Sequence, residues 1–254
     1  MIIDVITIFP EMFEGIIKSS IIKRTIEKEL ITINVHDFRE FTTNKHKKVD
    51  DTIYGGGAGM LIQCQPVIDT LKSINGYEKA YKIITSAQGN TFNQKKARGL
   101  SQLEHIIIIC GHYEGIDNRV LNYVDEEISI GDFILTGGEI PALTIIDSVI
   151  RLIPSAITGD SIEDESFEMG LLEYPQYTKP YEYDGYKVPD ELISGNHEEI
   201  RKYRKFESIK KTYFKRPDLL EKHELDKEGL LFLNNIKNGI LEYKEIKKWG
   251  VDYE

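Results

Sequence analysis

A chain of 254 residues with 41% hydrophobic and 29% charged residues has room for two modest domains, or one large one with a tail, and its composition predicts a soluble globular fold. No apolar run approaches the ~20 residues that span a bilayer, and the N-terminal run lacks a basic leader and carries Asp4, which argues against a signal peptide. Cys64 and Cys110 have no CxxC or CxxH neighbours, so a reducing compartment, the cytoplasm, is expected, while a net charge of −10 disfavours a polyanion binder that works by its average charge.

Residues 1–9 read as a buried strand, after which Pro10 suits the first turn of a helix carrying Phe13, Ile16, Ile17 and Ile21 on one face. Residues 31–38 (ITINVHDF) alternate Ile31, Ile33 and Val35, the pattern of a strand with one covered face. The runs YKIITS (81–86) and HIIIIC (105–110) are continuously apolar and β-branched, as in strands buried on both faces of a parallel sheet. Helical patterns fall at 66–74, 92–103, 115–124 and 139–153, so the first ~155 residues alternate strand and helix and predict an α/β sheet domain. Residues 155–170 lack periodicity and read as an acidic linker or mobile loop. Beyond Val188 the chain reads as helical, with Asn196 and Glu199 forming a capping box for a helix to about Phe214, and Pro217 opening the next.

Charge is unevenly spread. Residues 201–216 carry eight Lys/Arg and one Glu, whereas residues 159–168 carry five acids and no base. A local basic surface is enough for nucleic acid.

Three strand exits are rich in small residues: TSAQGN (85–90), CGHYEGIDNRV (110–120) and ISIGDFILTGGEIP (128–141). Ligands of open α/β sheets collect at such exits, and glycine lets backbone N–H and C=O groups approach a ligand without a Cβ in the way. For one loop, tight turns are explanation enough; three consecutive exits point to a backbone-lined pocket for an unnamed ligand. The other glycine stretch, DDTIYGGGAGM (50–60), lacks the Gly-Lys-Ser/Thr of a phosphate loop and fails as a dinucleotide fingerprint, which leaves contact with a bulky partner. No HxxxH, HExxH or paired-cysteine pattern suggests a metal, and no GxSxG elbow suggests a serine hydrolase.

The segments VDDTIYGGGAGM, ICGHYEGIDNRV, EEISIGDFILTGGEIPA, IDSVIRLIP, GLLEYPQYTKP and LISGNHEEIRKYR follow one another as the motifs of the tRNA (guanine-N1-)-methyltransferase family do, and over residues 1–216 the chain resembles that family. The resemblance implies a knotted (trefoil, SPOUT-type), mostly parallel α/β methyltransferase domain at 1–158, an acidic interdomain linker at 159–172 and a small all-helical tRNA-binding domain at 173–254. It implies a cytoplasmic homodimer, not membrane-bound, whose active site lies at the subunit interface, and methylation of the guanine immediately 3′ of the anticodon. S-adenosylmethionine is expected against Thr85, Ser86 and Gln88, against Gly111, Tyr113, Glu114 and Gly115, and against Ile130, Gly131, Asp132, Phe133, Ile134, Leu135, Gly137, Gly138 and Pro141. Arg151 corresponds to the family's cation, and Glu165, with Asp164 beside it, corresponds to the carboxylate base. His46, Asp50, Tyr54, Gly55 and Gly59, with Ser194, Asn196, Arg201 and Arg204, are the expected tRNA contacts. Mg²⁺ comes with the resemblance alone. Two positions depart from the family pattern: Glu165 stands where Asp is usual before Ser-Phe, and His112 where Arg is common.

Competing readings are a methyltransferase of the same fold acting on another nucleotide position, a non-catalytic RNA-binding module, and a small-molecule enzyme. The last leaves residues 201–216 unexplained.

Overall fold

Isoleucine-rich runs too apolar to face water on either side become the strands of a central sheet. The computed structural model describes residues 1–157, 165–168 and 170–248, and the chain divides into two units, residues 1–159 and 160–254. In chain order the first unit contains β1 (Ile2–Thr7), α1 (Glu11–Ile17), α2 (Ser20–Glu27), β2 (Thr32–Asp37), β3 (Asp50–Asp51), β4 (Leu61–Ile62) and α3 (Cys64–Ser73). It continues with β5 (Tyr81–Thr91), α4 (Gln94–Leu100), β6 (His105–Cys110), β7 (Glu126–Ser129) and α5 (Glu139–Ile150). Five strands form a sheet in the order β2-β1-β6-β5-β7, every neighbouring pair parallel.

Successive side chains of a strand point to opposite faces, and each face has its own core. Ile3, Val5, Ile83, Ile106 and Ile108 pack with Phe13, Ile22, Leu100 and the buried side of α5. On the other face Ile6, Ile84, Ile107 and Ile109 meet Phe38, Val67, Leu71 and Val120. Asp4, buried in β1, sits among apolar neighbours because three side chains satisfy it. Its carboxylate accepts from His36 Nε2 and His105 Nε2, each at 2.6 Å, and from Asn34 Nδ2 at 3.0 Å. Burial pushes its pKa up, but those hydrogen bonds outweigh burial and hold the group below the ordinary carboxylate value.

Four local expectations are revised. The first helix breaks in two, since Ser19 Oγ donates to the carbonyls of Gly15 (2.7 Å) and Ile16 (3.3 Å) and Ser20 takes φ +52°; Ile21 therefore lies on α2. Strand 81–86 extends to Thr91, with a register shift against β7 between Thr85 and Asn90. Residues 115–124 form no α-helix; a 3₁₀ stretch, Asn118–Tyr123, is capped by Asp117, whose carboxylate accepts from Arg119 N at 2.9 Å. The helix from Glu139 ends at Ile150 rather than 153.

The second unit carries a short hairpin, β8 (Glu182–Tyr183) with β9 (Tyr186–Lys187), then α6 (Asp190–Ile193), α7 (His197–Lys215), α8 (Pro217–Lys222), α9 (Lys227–Lys237) and α10 (Tyr243–Lys248). Its core joins Tyr203, Phe206 and Ile209 of α7 to Phe232, Ile236, Tyr243 and Ile246. Asn196 caps α7, its side chain accepting from Glu199 N at 3.2 Å, while the Asn196 N–H donates to Ser194 Oγ at 3.2 Å. The turn between β8 and β9 is Asp184-Gly185, with φ +52° and +81°, the backbone that Asp-Gly favours in a two-residue hairpin. Leu172, the last residue of the expected linker, and Glu173, the first residue of the expected helical domain, are tied to α7: Leu172 N donates to Thr212 Oγ1 (3.0 Å), Ser208 Oγ to Leu172 O (2.6 Å) and Lys211 Nζ to Glu173 O (3.0 Å).

Candidate active site

Three strand exits converge on one cavity of about 410 Å³, within the range of small-ligand pockets. The first exit interrupts β5 itself. Residues 86–89 leave the ladder with β7, and a Cβ on Gly89 would stand 2.5 Å from the backbone of Glu127 and Ile128, so only glycine lets the strands rejoin. The second exit turns sharply after β6, with Tyr113 at φ +58° and Gly115 N donating to His112 O at 3.0 Å. In the third, Gly131 N donates to Ser129 Oγ at 3.2 Å, and the chain then runs through Phe133, Ile134 and Leu135, all exposed, before returning to the sheet.

The return is the tightest part of the site. Gly138 N donates to Gly111 O at 2.7 Å, His112 and Gly137 form an antiparallel bridge, and the Thr85 hydroxyl reaches the Gly138 and Ile109 carbonyls at 3.2 and 3.3 Å. A Cβ on Gly138 would overlap Thr85 Oγ1 and lie 2.8 Å from Gly111 N. Just behind, Glu139 is 1% exposed, and its Oε1 accepts from Thr7 Oγ1 at 2.8 Å. Burial, with the Glu139 carboxylate second, pushes the Cys110 thiol well above its ordinary value, so that thiol stays protonated and unreactive.

Fifteen of the sixteen expected cofactor residues line this cavity, and Asp132 does not. Sequence reasoning missed Ile116, Asn118 and Leu121, which also line it; they belong to the stretch 115–124, taken as a helix. The lining suits a heterocycle-bearing cofactor such as S-adenosylmethionine. Residues of three loops line the space, and His112 Nδ1, in the second loop, is buried without a hydrogen-bond partner among the described residues.

The glycine stretch 50–60 adjoins the pocket. Glu114 N donates to Met60 O at 3.1 Å, Ile62 N to Gly115 O at 3.0 Å and Asp117 N to Ile62 O at 2.9 Å. Tyr54 is 97% exposed at its tip, Gly55 and Gly59 take φ +87° and +85°, and His46 is exposed, whereas Asp50 is half-buried in β3.

Arg151 is not brought to the cavity. It caps the C-terminus of α5, a helix of twelve residues whose N-terminal cap is Gly138; at 1.5 Å per residue the two caps are roughly 20 Å apart. Glu165 lies in the second unit, in a turn where Glu168 N donates to its carbonyl at 3.2 Å. Asp164 lies outside the described residues.

The basic helix α7 is less free than its composition suggests. Arg201 is held by Glu198 (2.8 and 2.9 Å) and Glu228 (2.9 and 3.0 Å), and Lys205 by Asp226 (2.6 Å) and Glu228 (2.9 Å). The hydrogen bond from Arg201 takes the Glu198 pKa down to about 2, and the same pairing raises that of Arg201. Arg204 stacks on Tyr174 with its guanidinium carbon 4.8 Å from the ring centroid. Ser194 and Asn196 sit in the capping turn before α7.

Residues 1–222 match the family model described as tRNA (Guanine-1)-methyltransferase TrmD. The chain belongs to that family. Proteins named tRNA (guanine-N(1)-)-methyltransferase are similar to it almost end to end. The one from Dictyoglomus turgidum is 51% identical over 241 residues, 94% of this chain and 98% of its own. The one from Thermotoga maritima is 50% identical over 243 residues, covering 95% and 99%. The one from Acholeplasma laidlawii is 51% identical over 244 residues, covering 94% and 99%. Among the described residues, no helix is long and apolar enough to cross a membrane, and no group of three or more His, Cys, Asp or Glu is placed to hold a metal ion.

Proposed function

We propose that the protein transfers the methyl group of S-adenosylmethionine to N1 of the guanine immediately 3′ of the anticodon in tRNA. The observation that carries this reading is the convergence of three glycine-bearing strand exits on one backbone-lined cavity, in a chain of this family. The crossing of the second and third loops, through the bridge between His112 and Gly137 and the bond from Gly138 N to Gly111 O, supports the knotted, SPOUT-type path.

The cofactor supplies a methyl group on a cationic sulfur, which leaves as a thioether. The protein must prepare the other reactant. Guanine N1 carries a proton at neutral pH, so its lone pair is unavailable until a base within hydrogen-bond reach removes that proton. Glu165 takes this role, with Asp164 as the neighbouring carboxylate. As the proton leaves and the N1–methyl bond forms, charge on O6 is met by the Arg151 guanidinium. Loops 50–60 and 111–117, joined backbone to backbone, hold the extruded guanine over the pocket.

The roughly 20 Å between Gly138 and Arg151 along α5 supports a homodimer, because a second copy can bring its own Arg151 to a pocket from which one copy's α5 holds it away. Phosphate contacts from α7 require Arg201 and Lys205 to exchange carboxylate partners for phosphate.

The test is incubation with labelled S-adenosylmethionine and bulk tRNA, followed by nucleoside analysis. Label in 1-methylguanosine is the expected result; label in any other nucleoside, or none, overturns the assignment.

A further inference from the structure

Glu139 is not among the residues that line the cavity, yet it is the buried carboxylate of the first turn of α5. Its Oε1 is fixed by the Thr7 hydroxyl at 2.8 Å, and Thr7 Oγ1 in turn accepts from Phe9 N at 3.0 Å, so the group is anchored to the end of β1. Its Oε2 lies against Gly137: a Cβ placed there would fall on that oxygen, and 2.5 Å from His112 Cδ2. Gly137 does line the cavity. A single glycine, with no side chain, therefore stands between a buried carboxylate and the ligand space. Charges near the α5 N-terminus and behind that glycine act through little water, where electrostatic effects are strong.

We infer that Glu139 is a charge-selecting positioning residue, which makes the pocket favour the cationic methyl donor over its neutral demethylated product. The inference rests on the proposed location of the cofactor. S-adenosylmethionine carries one more positive charge than S-adenosylhomocysteine, and the two differ otherwise by one methyl group. A fixed anion behind Gly137 stabilises the first ligand more than the second, and after transfer that attraction is gone. Product release is thereby eased by the reaction itself.

The experiment is calorimetric titration of both ligands into the full-length wild type, Glu139→Gln and Thr7→Val, with amide hydrogen exchange of the wild type with and without S-adenosylmethionine. Glu139→Gln keeps the shape and removes the charge; Thr7→Val keeps the charge and removes the anchor. Glu139→Gln is expected to lower the affinity ratio of S-adenosylmethionine to S-adenosylhomocysteine about three- to tenfold. Thr7→Val is expected to weaken both ligands alike and leave the ratio unchanged. An unchanged ratio in Glu139→Gln, or an equal fall in Thr7→Val, overturns the inference while the pocket stands. Absence of ligand protection at 111–117 and 130–141 overturns the pocket, and the inference with it.

Discussion

At Gly138 two effects of opposite sign compete, and their sizes decide what Gly138→Ala does. The residue has φ −82° and ψ −6°, which alanine adopts without strain, so the loss of unfolded-chain freedom favours the substitution by about 0.4–1 kcal/mol. Against this, the new Cβ overlaps Thr85 Oγ1 and stands 2.8 Å from Gly111 N and 3.0 Å from Cys110 Cα. Gly111 and Cys110 are backbone at the end of a central strand and cannot swing aside as a side chain does. Overpacking of this kind costs about 1–3 kcal/mol. Displacing Gly111 also lengthens the 2.7 Å bond from Gly138 N to Gly111 O, a loss of about 1 kcal/mol. The net expectation is destabilisation by about 1–3 kcal/mol, with affinity for S-adenosylmethionine reduced about tenfold as the loops part. Urea unfolding measures the first and calorimetry the second. A midpoint equal to or above the wild type's, at unchanged slope, would refute the claim that this glycine is required by contact rather than by turn geometry.

Asp4→Asn should cost about 2–4 kcal/mol at pH 7, because the amide keeps one acceptor oxygen and sets an N–H donor where the other stood, so one of His36 and His105 loses its acceptor, and the charge that both histidines meet is removed. Because the folded pKa of Asp4 is lowered, its contribution is full above the ordinary value of 3.8 and fades as pH falls through the lowered one; urea midpoints of wild type and variant should converge at acid pH, and a constant gap down to pH 2 would count against the ionised network. Arg151→Ala should reduce kcat by about 10²–10³ while leaving cofactor affinity nearly intact, and a collapse of cofactor binding by calorimetry would remove its assigned role. Glu165→Gln should lower single-turnover methylation about 10²–10⁴-fold; retention of the rate there, with its loss in Asp164→Asn, would transfer the base to Asp164. Glu228→Gln removes the carboxylate shared by Arg201 and Lys205 and leaves each with one acid, so binding to unspecific RNA should tighten and its salt dependence steepen. No change in the slope of affinity against salt would show that these cations never face RNA.

The α/β core was legible because strands such as 105–110 must be buried on both faces and therefore carry a continuous apolar signal. The pocket was legible only as glycine at strand exits. Its closure depends on Gly111 and Gly138 meeting across intervening structure, and no local pattern encodes which loop meets which. The break after α1 had a visible cause in Ser19-Ser20, outweighed by the helical pattern around it, and the hairpin had one in Asp184-Gly185 between tyrosines, in a segment that the resemblance assigned to an all-helical domain. The freedom of α7 could not be read from its own run. Glu198 stands just ahead of that run, and the other acids that engage Arg201 and Lys205, Asp226 and Glu228, come from the start of α9, 21 to 27 residues away. The spacing between Gly138 and Arg151, by contrast, was already implicit in the length of one helix.

A helix whose cations are engaged by its own chain has little standing attraction for an arbitrary polyanion. Any RNA approaching α7 must displace carboxylates from Arg201 and Lys205 before it gains their charge, and only a surface whose phosphates match the spacing of both can do so without leaving an acid stranded. With a net charge of −10 on the whole chain, most encounters with nucleic acid then end in dissociation. If α7 meets RNA as proposed above, its self-pairing acts as a filter on residence time, leaving the protein available for the rarer substrate that fits.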